Sequence, residues 1–158
     1  MSDLDEDLLI MREKNIGRLL QRAARAYSER AVDLLHHHGY SDITLFHTIL
    51  ISNLDADGTR LTVLADRAGA SKQAMGQIAG DLEEKGYITR RKDQKDSRAV
   101  LICFTEKGKD ALRAAYNVKL MIESEYERVI GRQNMKKLQS LLENLVAEQK
   151  IGKSGSDL

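Results

Sequence analysis

Between Ser71 and Lys85 the chain places Gln73, Gly76, Gln77 and Gly80 on one side of a helical wheel, opposite an apolar stripe of Met75, Ile78 and Leu82. The outer side is uncharged and nearly bare. Long amides form bidentate hydrogen bonds to a base edge, adenine in the commonest pairing, and glycines let a backbone lie close to a groove floor. Ser71 is placed to cap the helix, which leaves the first amides and the Lys72 ammonium to meet a phosphate. Each interior glycine costs a helix about 1 kcal/mol relative to alanine, so a pair of them calls for a reason. Small residues four apart also let a second helix pack closely, and by themselves the glycines fit a nucleic-acid groove or a protein partner equally well.

The next stretch favours the groove. From Lys85 to Arg98 six basic residues (Lys85, Arg90, Arg91, Lys92, Lys95, Arg98) stand against two acids, Asp93 and Asp96, a local +4 in a chain of net charge +1. Alone, such a run is compatible with a solvated face. Beside an uncharged helix of recognition type it reads as a phosphate-binding patch. Asp96 and Arg98 are two apart and point the same way in an extended segment. The acid can then orient the guanidinium for a narrow minor groove, or the two can form an ordinary surface ion pair.

The elements that must hold these residues follow from periodicity. Leu9, Ile16, Leu19, Leu20, Ala23, Tyr27, Ala31, Leu34 and Leu35 recur at helical spacing, which predicts one long amphipathic helix from Asp3 to about His38, ended by Gly39. Ile43 to Asn53 is a second, shorter helix, and LDADGTR is a break. Leu61–Ala68 and Ser71–Lys85 are helices joined by so short a link that they must cross sharply, as in a helix-turn-helix. YITRR and RAVLICFT, separated by KDQKDS, read as a β-hairpin, and a hairpin directly after such a helix pair is a wing. Thr105 can cap a helix from Glu106 to about Ile130. Gly131 interrupts, and a last helix from about Gln133 to Lys150 carries Met135, Leu138, Leu142 and Leu145 at 3-4-3 spacing.

Composition sets the outer bounds. A chain of 158 residues with 42% apolar residues suits one core, and zero proline with 4% aromatics favours long helices. Cys103 is the single cysteine, which excludes an internal disulfide framework. The longest apolar run, Ala99 to Phe104, is too short to span a bilayer, and the acidic start MSDLDEDL lacks the basic flank of a signal peptide, so a cytoplasmic protein without a membrane partner is expected.

Taken in order, Leu61-Thr62-Val63-Leu64-Ala65, Ser71-Lys72-Gln73-Ala74-Met75, Leu82-Glu83-Glu84-Lys85-Gly86-Tyr87-Ile88-Thr89-Arg90, Asp96-Ser97-Arg98 and Phe104-Thr105-Glu106-Lys107-Gly108 resemble the MarR family of winged-helix transcription regulators. The resemblance implies a homodimer on a pseudo-palindromic double-stranded DNA operator, commonly a repressor released by a small ligand, often aromatic or phenolic. It makes Ser71 to Gln77 the major-groove helix and Asp96-Ser97-Arg98 the wing tip. Many members carry a hydroxyl residue in place of Gly76 and an arginine in place of Gln77, so base contacts do not transfer at those two positions. The expected fold is mainly α with a small β-hairpin wing: a dimerisation helix in 1–40, a winged helix-turn-helix lobe in 41–113, dimerisation helices in 114–150 and a flexible tail in 151–158. The expected DNA-binding residues are Ser71, Lys72, Gln73, Gly76, Gln77, Arg90, Arg91, Lys92, Lys95, Asp96 and Arg98.

Other chemistry fares less well. His36, His37 and His38 diverge by about 100° each on a helix and cannot close on one ion without unwinding, even with His47 added. They suit a polar helix end, where imidazoles favour the C-terminal dipole. Tyr40, Phe46 and His47 could line an effector cavity, although a satisfied, partly buried histidine explains His47 as well. Cys103, set between Ile102 and Phe104, is expected to be inert. No nucleophile elbow, phosphate-binding glycine loop or metal-protease helix occurs, so no catalytic residue, metal or cofactor is expected. Two further classes stay open: a winged-helix module that binds protein, and a DNA-binding protein without an effector.

Overall fold

The computed structural model describes residues 13–94, 96 and 99–154. Within them are six helices, α1 (Ile16–His37), α2 (Leu45–Asn53), α3 (Leu61–Ala68), α4 (Lys72–Glu84), α5 (Glu106–Ile130) and α6 (Arg132–Ser154), and three strands, β1 (Thr59–Arg60), β2 (Ile88–Lys92) and β3 (Val100–Phe104). The strands form one antiparallel sheet in the order β1-β3-β2, with Ile88 opposite Phe104 and Lys92 opposite Val100. This is the expected mainly helical fold with a small β wing. Residues up to Val118 form one compact unit and residues from Lys119 another.

Helix boundaries follow local chemistry. Glu13 and Lys14 are helical, but Asn15 is extended and its Oδ1 accepts from the amides of Gly17 (2.8 Å) and Arg18 (3.3 Å). The single helix expected from Asp3 is therefore interrupted at Asn15, because an asparagine there serves better as an N-cap than as an interior residue. The part expected before residue 13 lies outside the described residues. Gly69 at φ 62° closes α3, and two residues later the Ser71 Oγ accepts from the Ala74 amide at 3.1 Å to open α4. One glycine and one serine thus set the sharp turn between the two helices. Gly131 at φ 84° separates α5 from α6, which runs on to Ser154. The expected 151–158 tail is helical that far, and residues 155–158 lie outside the described residues.

The break at LDADGTR contains a strand that periodicity does not reveal. Thr59 pairs with Ile102 and Arg60 with Leu101. Thr59 is buried, and its hydroxyl donates to Asp55 Oδ2 at 3.1 Å while accepting from the Asp55 amide at 2.9 Å. Gly58 has φ 97°, and a Cβ there would lie 2.6 Å from the Cys103 Sγ and 3.0 Å from the Ile102 carbonyl oxygen. Only glycine lets the chain pass this close to β3.

The core of the first unit is built from Leu50 of α2, Leu64 of α3, Met75, Ala79 and Leu82 of α4, and Ile88 and Ile102 of the sheet, each 3% exposed or less. The buried stripe of α4 is thus Met75, Ala79 and Leu82, whereas Ile78, which the sequence pattern assigns to it, is half-buried. The 75-79-82 and 75-78-82 sets span equal arcs of the wheel, so the sequence pattern by itself does not choose between them.

The end of α4 is fixed from the start of α5. The Thr105 hydroxyl donates to the Gly86 carbonyl at 2.6 Å and accepts from the Gly108 amide at 3.1 Å, and the Thr105 amide donates to the Tyr87 carbonyl at 3.0 Å. Lys107 Nζ donates to the Lys85 carbonyl at 2.8 Å and sits 4.1 Å from the centre of the Tyr87 ring. A Cβ on Gly108 would lie 1.9 Å from the Tyr87 carbonyl oxygen. Backbone cannot yield there without moving β2, so Gly108→Ala is expected to lower stability by about 1–3 kcal/mol, the scale of overpacking a tight contact. Urea denaturation followed by circular dichroism measures this.

Candidate nucleic-acid interface

The outer side of α4 is open. Ser71, Lys72, Gln73 and Gln77 are exposed, and Gly76 and Gly80 are half-buried. A Cβ added at Gly80 meets nothing within 4 Å, and one at Gly76 meets only Leu61 Cδ2, at an ordinary 3.8 Å. Neither glycine has a positive φ. Packing within the chain therefore does not require either of them, in contrast to Gly58 and Gly108.

The N-terminal end of α4 and the wing border one groove of about 350 Å³, lined by Lys72, Arg90, Arg60, Leu61, Thr62, Ala99, Val100 and Ile102. Three of these are cations from three elements, Arg60 of β1, Lys72 of α4 and Arg90 of β2, and most of the others are apolar. Arg90 Nε donates to Glu83 Oε2 at 2.9 Å, so this wing residue is tied to the recognition-type helix, while Arg91 and Lys92 continue the exposed basic strand. Lys95, expected among the DNA-binding residues, and Ser97 and Arg98, expected at the wing tip, lie outside the described residues. Asp96 is described, and its Oδ2 is 3.3 Å from Arg60 Nη2, which also donates to Asp93 Oδ2 at 2.8 Å. The Asp93 hydrogen bond first raises the Arg60 pKa; burial, next in size, opposes it, and the charges of both acids add to the rise. Arg60 was invisible as a site residue because its partners lie 33 and 36 positions away.

The expected effector residues differ in exposure. Phe46 is 69% exposed, whereas His47, its neighbour on α2, is 2% exposed. Both ring nitrogens of His47 are engaged: Nδ1 accepts from the Thr44 amide at 3.0 Å, which leaves Nε2 as the N–H that donates to Asp81 Oδ2 at 2.6 Å. The satisfied-histidine reading holds for this side chain. Here a histidine at the third helical position fills the role that Glu or Gln takes in a capping box. Tyr40 packs at a tilt on Tyr87, ring centres 6.5 Å apart. The Tyr87 hydroxyl donates to Asp42 Oδ1 at 2.5 Å; burial first, then that hydrogen bond, pushes its pKa above the ordinary phenol value. For Asp42 burial acts upward, but the Tyr87 hydrogen bond and the Lys107 charge outweigh it and hold the carboxyl below its usual value.

At the end of α1, His36 Nε2 donates to the Ile43 carbonyl and His37 Nδ1 to the Asp33 carbonyl, each at 2.7 Å. Among the described residues no three of His, Cys, Asp and Glu group as a metal site, and no helix is long and apolar enough to cross a membrane. Cys103 is buried.

A helix-turn-helix with a bare, amide-bearing outer face, bordered by a cationic wing, defines a winged-helix DNA-binding protein. Residues 41–99 match the model of the MarR family. Over that lobe the chain is similar to the MarR family of transcriptional regulators. It is 25% identical over 114 residues to the HTH-type transcriptional regulator YkoM of Bacillus subtilis, covering 69% of this chain and 70% of that protein. Among solved structures it is similar to the transcriptional regulator PA4135, with 27% identity, 87% of this chain and 97% of that one covered, and a TM-score of 0.66. It also shares its fold with CouR from Rhodococcus jostii RHA1, solved with p-coumaroyl-CoA bound, at 21% identity over 84% of this chain and 92% of that one, TM-score 0.68.

Asp81 is the residue that ties α2 to the exposed helix, through His47 on one side and Lys85 on the other. The Lys85 hydrogen bond first and the His47 hydrogen bond second hold its pKa below the ordinary 3.8. A carboxyl depressed in the folded state stabilises fully above its unfolded value and loses that contribution as pH falls through the folded one. The Tm advantage of the native chain over Asp81→Asn is therefore expected to be flat from neutral pH down to about pH 5 and to close below it, as read by thermal melts across a pH series.

Proposed function

We propose that the protein is a dimeric repressor that reads a pseudo-palindromic operator, with α4 of each copy in a major groove and the wing in the flanking minor groove, and that a small aromatic or phenolic ligand releases it. Two equivalent α4 helices then lie about 34 Å apart, one turn of DNA. The observation that carries the reading is the pair of glycines on α4 that the chain's own packing leaves unexplained, next to the cationic groove. Ser71, Lys72 and the helix N-terminus meet phosphate, Gln73 and Gln77 face base edges, and Arg90, Arg91, Lys92, Lys95 and Arg98 supply the wing charge, with Asp96 holding geometry. With Gly76 and Gln77 in place of larger or charged side chains, specificity rests on the two amides and on DNA shape. Acting on DNA, the protein works in the cytoplasm.

Association between copies has support in the second unit. Leu138, Leu141, Leu142, Leu145 and Val146 of α6 are 37–57% exposed, and Leu120, Met121 and Val129 of α5 are 43–82% exposed. Exposed apolar side chains in such number on two successive helices support an interface between copies. The segments 1–40 and 114–150 are assigned to it. Leu142→Glu with Leu145→Glu is expected to shift the protein from dimer to monomer in sedimentation velocity. The ligand reading draws on CouR, whose structure holds p-coumaroyl-CoA.

Fluorescence anisotropy with random-sequence duplex DNA at two salt concentrations tests the DNA reading: binding at low salt that weakens steeply with added salt is expected, and no binding at low salt favours a protein partner for α4 instead. Gly76→Ala and Gly80→Ala are each expected to stabilise the protein by about 0.5–1 kcal/mol, through helix propensity, and to weaken DNA binding, because the added methyl fills clearance the groove needs. Affinity unchanged in both variants would remove the glycines from the interface.

A further inference from the structure

The wing holds two carboxylates that would repel phosphate, Asp93 and Asp96, and both turn to one guanidinium supplied from outside the hairpin. Arg60 is the last residue of β1, the edge strand paired with β3 on the side away from β2. Its Nη2 reaches Asp93 Oδ2 at 2.8 Å and Asp96 Oδ2 at 3.3 Å. The Asp93 side chain is only 12% exposed, whereas Asp96 and the Arg60 side chain remain 45% and 43% exposed. The same loop is closed by two backbone bonds, Asp93 amide to Ala99 carbonyl at 3.0 Å and Ala99 amide to Asp96 carbonyl at 2.9 Å. Asp93, Asp96 and Ala99 are therefore held by a local turn and a long-range clamp.

We propose that Arg60 is a positioning residue for the wing: by clamping Asp93 and Asp96 to the far edge of the sheet it sets the loop that carries the wing's cations against DNA and withdraws two negative charges from the phosphate surface. This rests on the DNA-binding reading above and adds to it the residue that decides where the wing sits. Arg60 also lines the cationic groove, so the competing role is direct contact with a phosphate. The two roles differ in what they depend on. A clamp requires its acids; a phosphate contact does not.

The test is a double-mutant cycle on the full chain, read with a duplex enriched by the native protein from a random-sequence library. Arg60→Gln is expected to weaken binding about fivefold in the native background, the scale of a surface ion pair, and to have no effect when Asp93→Asn and Asp96→Asn are already present. Hydroxyl-radical footprints of Arg60→Gln should lose protection in the flanks, where the wing lies, and keep it at the centre of each half-site, where α4 lies. Arg60→Lys, which keeps a charge and a donor, should retain most of the affinity and the flank protection. An equal loss in both backgrounds would overturn the clamp in favour of direct phosphate contact, and an Arg60→Gln variant that binds like the native chain would overturn it outright. If the native protein enriches no duplex at all, the DNA-binding reading itself fails, which is a separate result.

Discussion

The lobe depends on one close approach, the passage of the α5 start against the backbone of Tyr87. Gly108 leaves the space, since any Cβ would overlap the Tyr87 carbonyl oxygen. Thr105 and Lys107 then occupy the carbonyls of Lys85, Gly86 and Tyr87. These carbonyls terminate the exposed helix and begin the wing. A single junction thus fixes the exit of α4, the approach to β2 and the first turn of the helix that follows. Burial of the Tyr87 side chain, its hydrogen bond to Asp42 and the Lys107 ammonium over its ring extend the same junction to the loop before α2. The strength of the sequence motif Phe104-Thr105-Glu106-Lys107-Gly108 has a plain physical source: each of its last four positions except Glu106 makes a contact that no larger or apolar residue could replace.

That dependence explains what could be read in advance. The α3–α4 turn announces itself through Gly69 and Ser71, whose roles are local, and the hairpin through a change of period and a polar loop. The bare side of α4 follows from a wheel. What stayed hidden is long-range or too short to have a period. β1 has two residues, so no alternation exists to detect, and it is defined only by its pairing with Ile102 and Leu101. Arg60 and Asp81 matter through partners more than thirty positions away, although the 81/85 spacing of an acid and a lysine was a visible hint of a helix pair. Asn15 shows the reverse error: a long hydrophobic pattern outweighed a capping residue in the middle of it.

The glycines divide into two kinds, and the division carries the functional argument. Gly58 and Gly108 are required by atoms of the same chain within contact distance. Gly76 and Gly80 are not, yet each lowers helix propensity. A chain that accepts that loss twice on one face, next to Lys72 and the basic β2 strand, has a surface shaped for something outside itself. The charge pattern agrees, because acids near this surface have cationic or imidazole partners: Asp81 with His47 and Lys85, Glu83 with Arg90, Asp93 and Asp96 with Arg60. The acids there are thus matched by charge, while Lys72, Arg91, Lys92 and the two glutamines of α4 are exposed.

Hydrogen–deuterium exchange of the full chain with and without a salt-sensitive duplex tests this most directly, since it reports on every segment at once. Slowed exchange is expected in residues 71–80 and in the hairpin 88–104 on addition of DNA, with the effect lost at high salt. Protection confined to α6, or none in 71–80, would contradict it.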